Sequence, residues 1–504
     1  MKLHQLFSMM DLVKAQVYGL TIDSNEFEIT GIFFEAQKVI PDSIFVAIRG
    51  SKTDGHQFLN EAVEHKAKIL IVELTDQIPK SFSGTVFQVK ESRSILDSLA
   101  AEFYQRPSEK LFIFGVTGTN GKTSITYLLE HILKDANKKI GVMGTVNHRI
   151  DEKIWQSQMT TPDPVTLQSR LKDFVACQAF AAALEVSSHA LDQNRTDSVD
   201  FNTVIFTNLT LDHLDYHKNI QNYFLAKQKL FTDLLWSSRK NNLFAVINVD
   251  DDYGRKLKIS DRAIIWSYGQ SESDFQFKIL KMTFNETFFE LKTPIENMQF
   301  KLMIPGIHTV YNAVASIVAA LTAGIPLADS KKALESFKGI PGRLEKIDNE
   351  LNQIIFVDYA HTPDALKNTL ESIQKIKKET QSAGQIITVF GCGGDRDQTK
   401  RPLMAEIACD LSQTVIITSD NPRTENPDLI IQQIKVGVPH HFKNYFCIFD
   451  REEAIHKAIT LACKDDIILI AGKGHEDYQI IGTEKIHFSD SEIAIKITGR
   501  LHHG

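Results

Sequence analysis

Lys122 and Thr123 follow the glycine-rich part of FIFGVTGTNGKTS, residues 112–124, and these residue types at this spacing can bind a triphosphate. In such a loop, backbone N–H groups and the positive end of the following helix face the phosphates. The lysine reaches the outer phosphates, and the threonine hydroxyl can bind Mg²⁺. The match to G-x-x-x-x-G-K-[ST] is imperfect, because Gly115 lies one residue early, and a structural glycine turn is the alternative. We interpret the stretch as a nucleotide phosphate site formed by Gly118, Thr119, Asn120, Gly121, Lys122, Thr123 and Ser124.

A candidate metal site follows two other apolar runs. Glu185 ends FAAALE, and His213 lies in FTNLTLDHLDYH after the next run. A carboxylate and an imidazole near a triphosphate are the groups a second metal would need, and Mg²⁺ prefers oxygen ligands. We therefore predict Glu185 and His213 as metal ligands. For Asp215 and His217, in the same stretch, capping of the following helix is the favoured interpretation.

Lys227 lies on the apolar face of a predicted helix, NYFLAKQKLFTDLL. It is four residues after Tyr223, three before Leu230 and four before Phe231, so these side chains share one stripe. A buried lysine is costly unless it is paired or chemically modified. The alternative is a long side chain that extends its charge to solvent.

In the last third of the chain, four buried runs end in glycines and charged residues: VDYAHTP, GCGGDRD, SDNPR and AGKGHED. Ligands of open α/β sheets bind at such carboxyl ends of strands. Arg396 and Arg423 can each fork onto a carboxylate, and Glu476 can hold an ammonium group. Such a crevice suits an amino acid, although a structural network of ion pairs has the same signature.

Two further residues have two interpretations each. Asn312 opens a predicted helix and either caps it or contacts a ligand. Arg343 lies in a predicted hinge, GIPGRLEKI, and is either a surface charge or reaches the nucleotide from across a domain boundary.

The elements that carry these residues alternate between strand and helix. Short strands SIFVAI and AKILIVE flank a helical stretch, and RPSEK at 106–110 is interpreted as a linker. From residue 111 to about 340 the alternation predicts a mostly parallel, doubly wound sheet. A chain of 504 residues suits roughly three domains. We predict an α/β protein with domains at 1–107, 108–340 and 341–504.

Composition excludes several classes of protein. Residues are 43% hydrophobic and 24% charged, and no apolar run approaches the roughly 18 residues that cross a bilayer. Asp11 and Lys14 interrupt the first apolar residues, which argues against a signal peptide or anchor. Five cysteines without a C-x-x-C pair argue against disulfides and zinc, and a net charge of −7 against nucleic acid. We therefore expect a cytoplasmic protein without nucleic-acid or membrane partners.

Ten motifs in order over nearly the whole chain resemble the Mur ligases: GVTGTNGKTS, MTTPDP, EVSSHALDQNR, FTNLTLDHLDYH, NAVAS, PGRLE, VDYAHTPDAL, VFGCGGDRDQTKRPLMAEIA, SDNPRTENP and AGKGHEDYQ. Within the family they resemble the members that add the third residue of the peptidoglycan stem peptide. The resemblance implies an N-terminal domain for a uridine nucleotide, a central ATPase and a C-terminal Rossmann-like domain that closes over the site. It also implies ATP and Mg²⁺, and an acyl phosphate formed on a UDP-N-acetylmuramoyl dipeptide. We expect a monomer.

Residue by residue, the resemblance assigns roles to the candidate positions. Lys227 matches a carbamylated lysine that holds Mg²⁺ together with Thr123, Glu185 and His213. The resemblance implies that the catalytic residues are Lys122, Lys227 and His213. Nucleotide contacts fall on Asn312, Arg343 and Asp358, in addition to the phosphate loop. Positions that hold the UDP-sugar peptide are Thr160, Thr161, Ser187, Gln193 and Arg195. Positions that hold the incoming amino acid are Arg396, Asp420, Asn421, Pro422, Arg423, Gly472 and Glu476.

The tetrad D-N-P-R, residues 420–423, bears on the choice of amino acid. In the family it accompanies meso-diaminopimelate, whereas lysine-adding relatives usually lack the arginine. Diaminopimelate has one more carboxylate than lysine, and a guanidinium that pairs with it is left unpaired when lysine binds. A lysine-adding or folate-acting sibling, and a P-loop NTPase switch, are the alternatives. Ala36 departs from the family, because relatives have a serine there that meets the uridine diphosphate.

Overall fold

The computed structural model describes residues 16–18, 28–50 and 53–503 of the chain. The expectation about Asp11 and Lys14 falls outside these residues. Three α/β domains follow one another, and each is built around its own main sheet. None of the helices in the described part of the chain is long and apolar enough to cross a membrane.

The N-terminal domain contains a five-stranded sheet. Its strands are β1 Gln16–Tyr18, β2 Ile32–Phe33, β3 Ile44–Val46, β4 Ile69–Val72 and β5 Thr85–Gln88. Its helices are α1 Leu59–Glu64 and α2 Ser92–Phe103, with 3₁₀ turns at Ala36–Lys38 and Gly55–Phe58. The strand order is β1-β5-β4-β3-β2, and all neighbours are parallel except β1 and β5. The two strands predicted from SIFVAI and AKILIVE are therefore confirmed as β3 and β4.

The predicted linker at 106–110 is an ordered 3₁₀ turn, Pro107–Lys110. Pro107 and Ser108 are buried, and the Ser108 hydroxyl donates a hydrogen bond to the Asp200 carboxylate at 3.1 Å. This segment is thus packed against the central domain, and the proline that interrupts the apolar periodicity begins the turn.

The central domain contains an eleven-stranded sheet. Its strands are β6 Phe112–Thr117, β7 Ile140–Met143, β8 Asn147–Ile150, β9 Lys153–Gln156, β10 Ala181–Glu185, β11 Thr203–Phe206, β12 Leu243–Asn248, β13 Ala263–Gly269, β14 Phe275–Met282, β15 Thr287–Lys292 and β16 Asn297–Leu302. Its helices are α3 Lys122–Asp135, α4 Pro164–Ala176, α5 Ser188–Asp192, α6 Leu214–His217, α7 Ile220–Lys229, α8 Leu235–Ser237, α9 Ile307–Thr322 and α10 Leu327–Ser336. A π-helical segment, Leu230–Leu234, joins α7 to α8.

The middle of this sheet is parallel, as predicted. The strand order is β16-β15-β14-β13-β12-β11-β6-β10-β7-β8-β9, and the neighbours from β14 to β7 are all parallel. Antiparallel strands extend both edges. Separate apolar clusters fill the two faces, one with α3 and α9 and the other with α4 and α7. Strand β6 is therefore covered on both sides, and its carboxyl end delivers the glycine loop to the middle of the domain.

The C-terminal domain contains a six-stranded sheet and a separate hairpin. Its strands are β17 Glu345–Ile347, β18 Ile354–Asp358, β19 Ile386–Phe390, β20 Thr414–Ile417, β21 Tyr445–Cys447, β22 Ile467–Ala471, β23 Tyr478–Ile481 and β24 Glu484–His487. Its helices are α11 Pro363–Glu379, α12 Lys400–Leu411, α13 Pro427–Lys435, α14 Arg451–Leu461 and α15 Asp490–His503. The order is β17-β18-β22-β19-β20-β21, parallel apart from β17, so the four predicted polar strand ends meet at one edge.

Candidate active site

The phosphate loop joins β6 to α3 and requires its glycines. Gly118 and Gly121 have φ angles of 149° and 90°, which residues other than glycine rarely adopt. A Cβ on Gly118 would lie 1.8 Å from the Thr207 hydroxyl, and one on Gly121 would lie 2.5 Å from the Asn312 amide oxygen. Asn312 therefore borders the loop. It lies within α9, which is capped by Gly306, so the interpretation of Asn312 as a helix cap is wrong.

Two lysines meet at this loop. Lys122 donates hydrogen bonds to the carbonyls of Gly118 and Thr119, each at 2.9 Å, and Lys227 donates to the Gly118 carbonyl at 2.9 Å. Lys227 is only 1% exposed, and its ammonium lies 4.6 Å from the centre of the Tyr223 ring. The side chain points inward as its spacing predicted, and the alternative in which it extends to solvent is wrong.

The environment depresses the basicity of both amines. Burial lowers the pKa of Lys227 well below its ordinary value, and the nearby Lys122 ammonium lowers it further. Burial also lowers the pKa of Lys122, although the carboxylates of Glu185 and Asp212 oppose this effect. The shift is larger for Lys227, and an amine that loses its proton becomes a nucleophile.

Glu185, at the end of β10, is buried beside the loop. Its carboxylate accepts hydrogen bonds from the Thr145 backbone N–H at 3.1 Å and from the Thr145 hydroxyl at 2.9 Å. A Cβ on Gly144 would lie 2.2 Å from one of its oxygens, so the glycine makes room for the carboxylate. Hydrogen bonds from Thr145 therefore fix the orientation of the Glu185 carboxylate, which lies near Lys122.

His213 is exposed at the start of α6, with a φ angle of 53°. Its Nε2 lies 3.5 Å from the Asp212 carboxylate, and its ring packs edge-on against His189. Although 47% of its side chain is exposed, partial burial of the imidazole lowers the pKa of His213 to about 4. Lys122 and Lys227 lower this pKa too, and Asp212 opposes the shift. Its imidazole is therefore neutral at physiological pH and has a lone pair available to a metal.

Asp215 and His217 do not cap the following helix. The residue at the cap position of α6 is His213, whose side chain makes no capping hydrogen bond, and His217 Nε2 lies 2.9 Å from the Ser188 hydroxyl. The helix-capping interpretation of these two residues is therefore wrong.

The predicted metal ligands fit Mg²⁺ in chemistry. Glu185 and Asp212 lie close enough to Lys122 to influence its pKa, and Lys122 and Lys227 both influence the pKa of His213. No cluster of three or more His, Cys, Asp or Glu side chains suited to a metal occurs among residues 16–18, 28–50 and 53–503. A carbamate on Lys227 would supply the oxygens that this set lacks, because carboxylate-type oxygens are preferred Mg²⁺ ligands.

The C-terminal domain reaches the phosphate loop through Arg343. Its guanidinium lies 3.4 Å from the Thr123 hydroxyl and stacks 4.7 Å from the centre of the Tyr359 ring. Asp358 accepts a hydrogen bond from the Leu344 N–H at 2.6 Å, which holds the hinge backbone. Burial raises the pKa of Asp358, and Arg343 opposes the shift. The interpretation of Arg343 as a surface charge is therefore wrong.

A cavity of about 1290 Å³ separates the central and C-terminal domains. His213 and its neighbours line it on one side, and the carboxyl ends of the C-terminal strands line it on the other. Predicted amino-acid contacts that line it are Arg396, Asp420, Asn421, Arg423, Gly472 and Glu476. Pro422 is buried and does not line it. One crevice thus brings cationic and acidic groups to the edge of the phosphate site.

A second cavity, of about 410 Å³, lies between the N-terminal and central domains. Gln193 and Arg195 line it, as does Ala36 on the opposite wall. Thr160, Thr161 and Ser187, which were also predicted to hold the UDP-sugar peptide, do not line it. The Arg195 guanidinium donates to the Thr161 carbonyl at 2.9 Å, and the Thr161 hydroxyl donates to the Glu185 carbonyl at 2.7 Å. Hydrogen bonds therefore connect this cavity to the end of β10.

Sequence patterns did not reveal every residue at these cavities. Arg93, from α2, lines the smaller cavity near Arg195, and together with burial it lowers the pKa of Arg195. No local motif marks Arg93, because its position depends on how two domains pack. Lys473 lies in the AGKGHED motif, but no pattern in the sequence predicts that its side chain is fully buried.

Comparisons with known proteins agree with this geometry. Family models match at 28–104 (Mur ligase family, catalytic domain), 116–320 (Mur ligase middle domain) and 342–474 (Mur ligase, glutamate ligase domain). A UDP-N-acetylmuramoyl-L-alanyl-D-glutamate–2,6-diaminopimelate ligase of Clostridioides difficile is 41% identical, covering 99% of this chain and all of that protein. A Bacillus cereus protein of the same name is 41% identical over 94% of this chain and 95% of its own.

Solved structures resemble the whole chain. A structure of a ligase with that same name has a TM-score of 0.69 at 30% identity and covers 100% of both chains. A Thermotoga maritima MurF ligase in complex with ADP has a TM-score of 0.62 at 18% identity, over 93% of this chain and 97% of its own, and shares the fold. The order of the three domains, the phosphate loop and the full-length relatives agree, and the chain belongs to the Mur ligase family of ATP-dependent ligases.

Proposed function

We propose that this ligase joins meso-2,6-diaminopimelate to the D-glutamate γ-carboxylate of UDP-N-acetylmuramoyl-L-alanyl-D-glutamate, at the expense of ATP. The names of its full-length relatives support this substrate. The observation that carries the proposal is that Arg423 and Glu476 line the same cavity as His213, beside the phosphate loop. An amino acid bound there can reach a carboxyl group activated at the loop.

The first step activates the carboxyl group, because a carboxylate and an amine do not condense usefully in neutral water. The γ-carboxylate attacks the terminal phosphorus of ATP, and ADP leaves. Lys122 and the N–H groups of the loop stabilise the charge that develops on the transferred phosphoryl group. Lys122 donates hydrogen bonds to two loop carbonyls, so the loop itself holds the ammonium group at the site.

The second step forms the amide. The amine of diaminopimelate attacks the acyl phosphate, and the C–N bond forms. Phosphate leaves with the electrons of the broken C–O bond, and the nitrogen gives up a proton. Water would hydrolyse the same intermediate, so closure of the C-terminal domain over the loop is required. Arg343, which already contacts Thr123 from across the boundary, supports such closure.

Mg²⁺ would neutralise phosphate charge during transfer. We propose that Thr123, Glu185, His213 and a carbamate on Lys227 hold it. A carbamylated lysine keeps one N–H on Nζ, so the hydrogen bond to the Gly118 carbonyl at 2.9 Å can persist after modification. Carbamylation also replaces a buried cation, repelled by Lys122, with an anion that Lys122 attracts.

Within this proposal, Gly118 to Ser124, Asn312, Arg343 and Asp358 bind ATP, and Thr160, Thr161, Ser187, Gln193 and Arg195 bind the UDP-sugar peptide. The domains at 1–107, 108–340 and 341–504 serve the UDP-sugar, ATP and the amino acid. Ala36 lines the smaller cavity without a hydroxyl, so charged neighbours such as Arg195 must contribute more to holding the diphosphate. Both cavities lie within one chain, which suits a monomer. ATP and UDP-sugars are cytoplasmic metabolites, so we place the reaction in the cytoplasm.

The test is phosphate release in the presence of ATP and UDP-N-acetylmuramoyl-L-alanyl-D-glutamate, with diaminopimelate, with lysine and with no amine. The proposal expects rapid release only with diaminopimelate. Equal release with lysine would favour the lysine-adding sibling. Release without any amine would favour a P-loop NTPase switch.

A further inference from the structure

Lys473 is fully buried, and it contacts three residues that line the cavity between the central and C-terminal domains, Asn421, Glu476 and Tyr478. Its ammonium donates to the Glu476 carboxylate at 3.0 Å and to the Tyr478 carbonyl at 2.5 Å, and its third contact is the Asn421 amide oxygen at 3.5 Å. Each of its three N–H groups therefore has an acceptor, which a buried ammonium requires.

Only one of the two carboxylate oxygens of Glu476, Oε2, accepts hydrogen bonds from side chains among the described residues. Lys473 and the Asn421 side-chain amide, at 2.9 Å, both donate to Oε2 of Glu476. Oε1 accepts no hydrogen bond from the residues that the structure describes, and Glu476 lines the large cavity. The carboxylate is thus held by one oxygen and has the other available to a ligand.

The contact with Tyr478 extends the same support to the cationic end of the cavity. Tyr478 begins β23, and the Arg423 backbone N–H donates to the Ile480 carbonyl of this strand at 3.1 Å. The Asn421 amide oxygen also accepts the Ile480 N–H at 2.9 Å. One lysine therefore supports both Glu476 and the strand that holds Arg423. It thereby sets the distance between a carboxylate that can accept hydrogen bonds from an ammonium group and a guanidinium that can donate to a carboxylate.

We infer that Lys473 is a positioning residue for the incoming amino acid, which orients Glu476 and fixes its distance from Arg423. This inference rests on the proposed function. Lys473 itself has no free N–H group for the substrate, so it acts through Glu476 and Arg423. It should therefore affect recognition of the amino acid and leave the handling of ATP unchanged.

The experiment compares steady-state ligation by the wild type, Lys473→Met, Glu476→Gln and the double variant. We expect Lys473→Met to raise the KM for diaminopimelate about 10- to 100-fold, while the KM for ATP stays within about twofold. The double variant should lose less than the sum of the two single losses, because part of the effect of Lys473 acts through Glu476. Additive losses, or an equal rise in both KM values, would overturn the inference.

The matched control is Lys485→Met. Lys485 is exposed and stacks 3.6 Å from the centre of the Tyr478 ring, on the same hairpin, but has no contact with Glu476 among the described residues. It should leave the KM for diaminopimelate within about twofold of the wild type. If it raised the KM as much as Lys473→Met does, a general effect of the hairpin would replace the proposed role.

Loss of a buried cation can unfold a domain, so Lys473→Gln, which keeps an amide donor, is the second variant. Burial raises the pKa of Glu476, and so does the Asp420 carboxylate, while Lys473 and Asn421 oppose the rise. Tyr359, Tyr478 and Arg451 also lie near Glu476. Without the lysine charge, the acid limb of kcat/KM for diaminopimelate should move to higher pH. An unmoved limb would overturn the inference. Absence of ligation by the wild type would instead contradict the proposed function.

Discussion

Lys122 and Lys227 donate hydrogen bonds to the same acceptor, the Gly118 carbonyl oxygen, each at 2.9 Å. Two ammonium groups so placed repel each other, and the Lys122 charge is one cause of the depressed pKa of Lys227. The arrangement favours loss of a proton from the more buried of the two. A neutral Lys227 amine can then attack CO₂, releasing a proton and forming a carbamate that Lys122 would attract.

Lys227→Ala should therefore abolish most ligation, and small carboxylates such as acetate should restore part of it by replacing the carbamate. The control is Lys229→Ala, two residues along α7, whose ammonium lies 3.5 Å from the Leu191 carbonyl outside the site. The measurements are the ligation rate with added carboxylates and labelled bicarbonate incorporation by the wild type. An unchanged rate in Lys227→Ala would contradict the carbamate role.

Lys122→Ala should reduce the rate by at least about 100- to 1000-fold, because a preorganised charge at the transferred phosphoryl group is lost. The far-ultraviolet circular dichroism should be unchanged, since among the described residues the side chain of Lys122 donates hydrogen bonds only to carbonyls of its own loop. Lys134→Ala, at the other end of α3, removes a partly exposed ion pair with Glu130 and should keep near-normal activity. Turnover at the wild-type rate in Lys122→Ala would contradict the assignment of the phosphate loop.

The sequence predicted the elements that depend on local patterns. Buried runs such as FAAALE form parallel strands, and helical spacing alone placed Lys227 on the inward face, because both signals are periodic along the chain. The meeting of four polar strand ends at one cavity also followed from the rule for parallel sheets.

The sequence could not resolve features that depend on how distant segments pack. Asn312 has the residue type of a cap, but its role is decided by the approach of α9 to Gly121. Arg343 reaches Thr123 only because two domains meet, and Arg93 contributes to a cavity wall for the same reason. The alternation of strands and helices likewise did not predict the antiparallel strands at the two edges of the central sheet.

Arg423→Ala should weaken the use of diaminopimelate by roughly 2 to 5 kcal/mol, if it removes one partner of a desolvated charge pair. The half-buried guanidinium donates to the Gly394 carbonyl at 2.8 Å and lines the cavity, so a substrate carboxylate can occupy its remaining donors. The measurement is the ratio of kcat/KM for diaminopimelate to that for lysine. Arg423→Lys, which keeps the charge without the planar fork, should lose less. An unchanged ratio in Arg423→Ala would remove the basis for specificity.

Asp97 makes the junction of the N-terminal and central domains sensitive to pH. It is 1% exposed, one of its carboxylate oxygens has no partner in the described structure, and it lies beside Ser198 and Asp197 of the central domain. Burial and the nearby Asp197 carboxylate raise the pKa of Asp97 to about 7, against the opposing effects of Ser198 and Arg106. The folded protein therefore holds a proton that the unfolded chain releases at about pH 4.

Stability should accordingly fall as the pH rises from about 4 to 7, because ionising Asp97 in its buried site is unfavourable. Asp97→Asn keeps the shape and removes the charge, so it should raise the free energy of unfolding at pH 8, on the order of 1 to 3 kcal/mol, and change it little at pH 4. Urea unfolding at both pH values measures this, and Asp173→Asn, at an exposed ion pair with Arg170, is the control. A variant no more stable than the wild type at pH 8 would show that Asp97 is ionised without cost, and the junction would then have to supply a partner for its free oxygen.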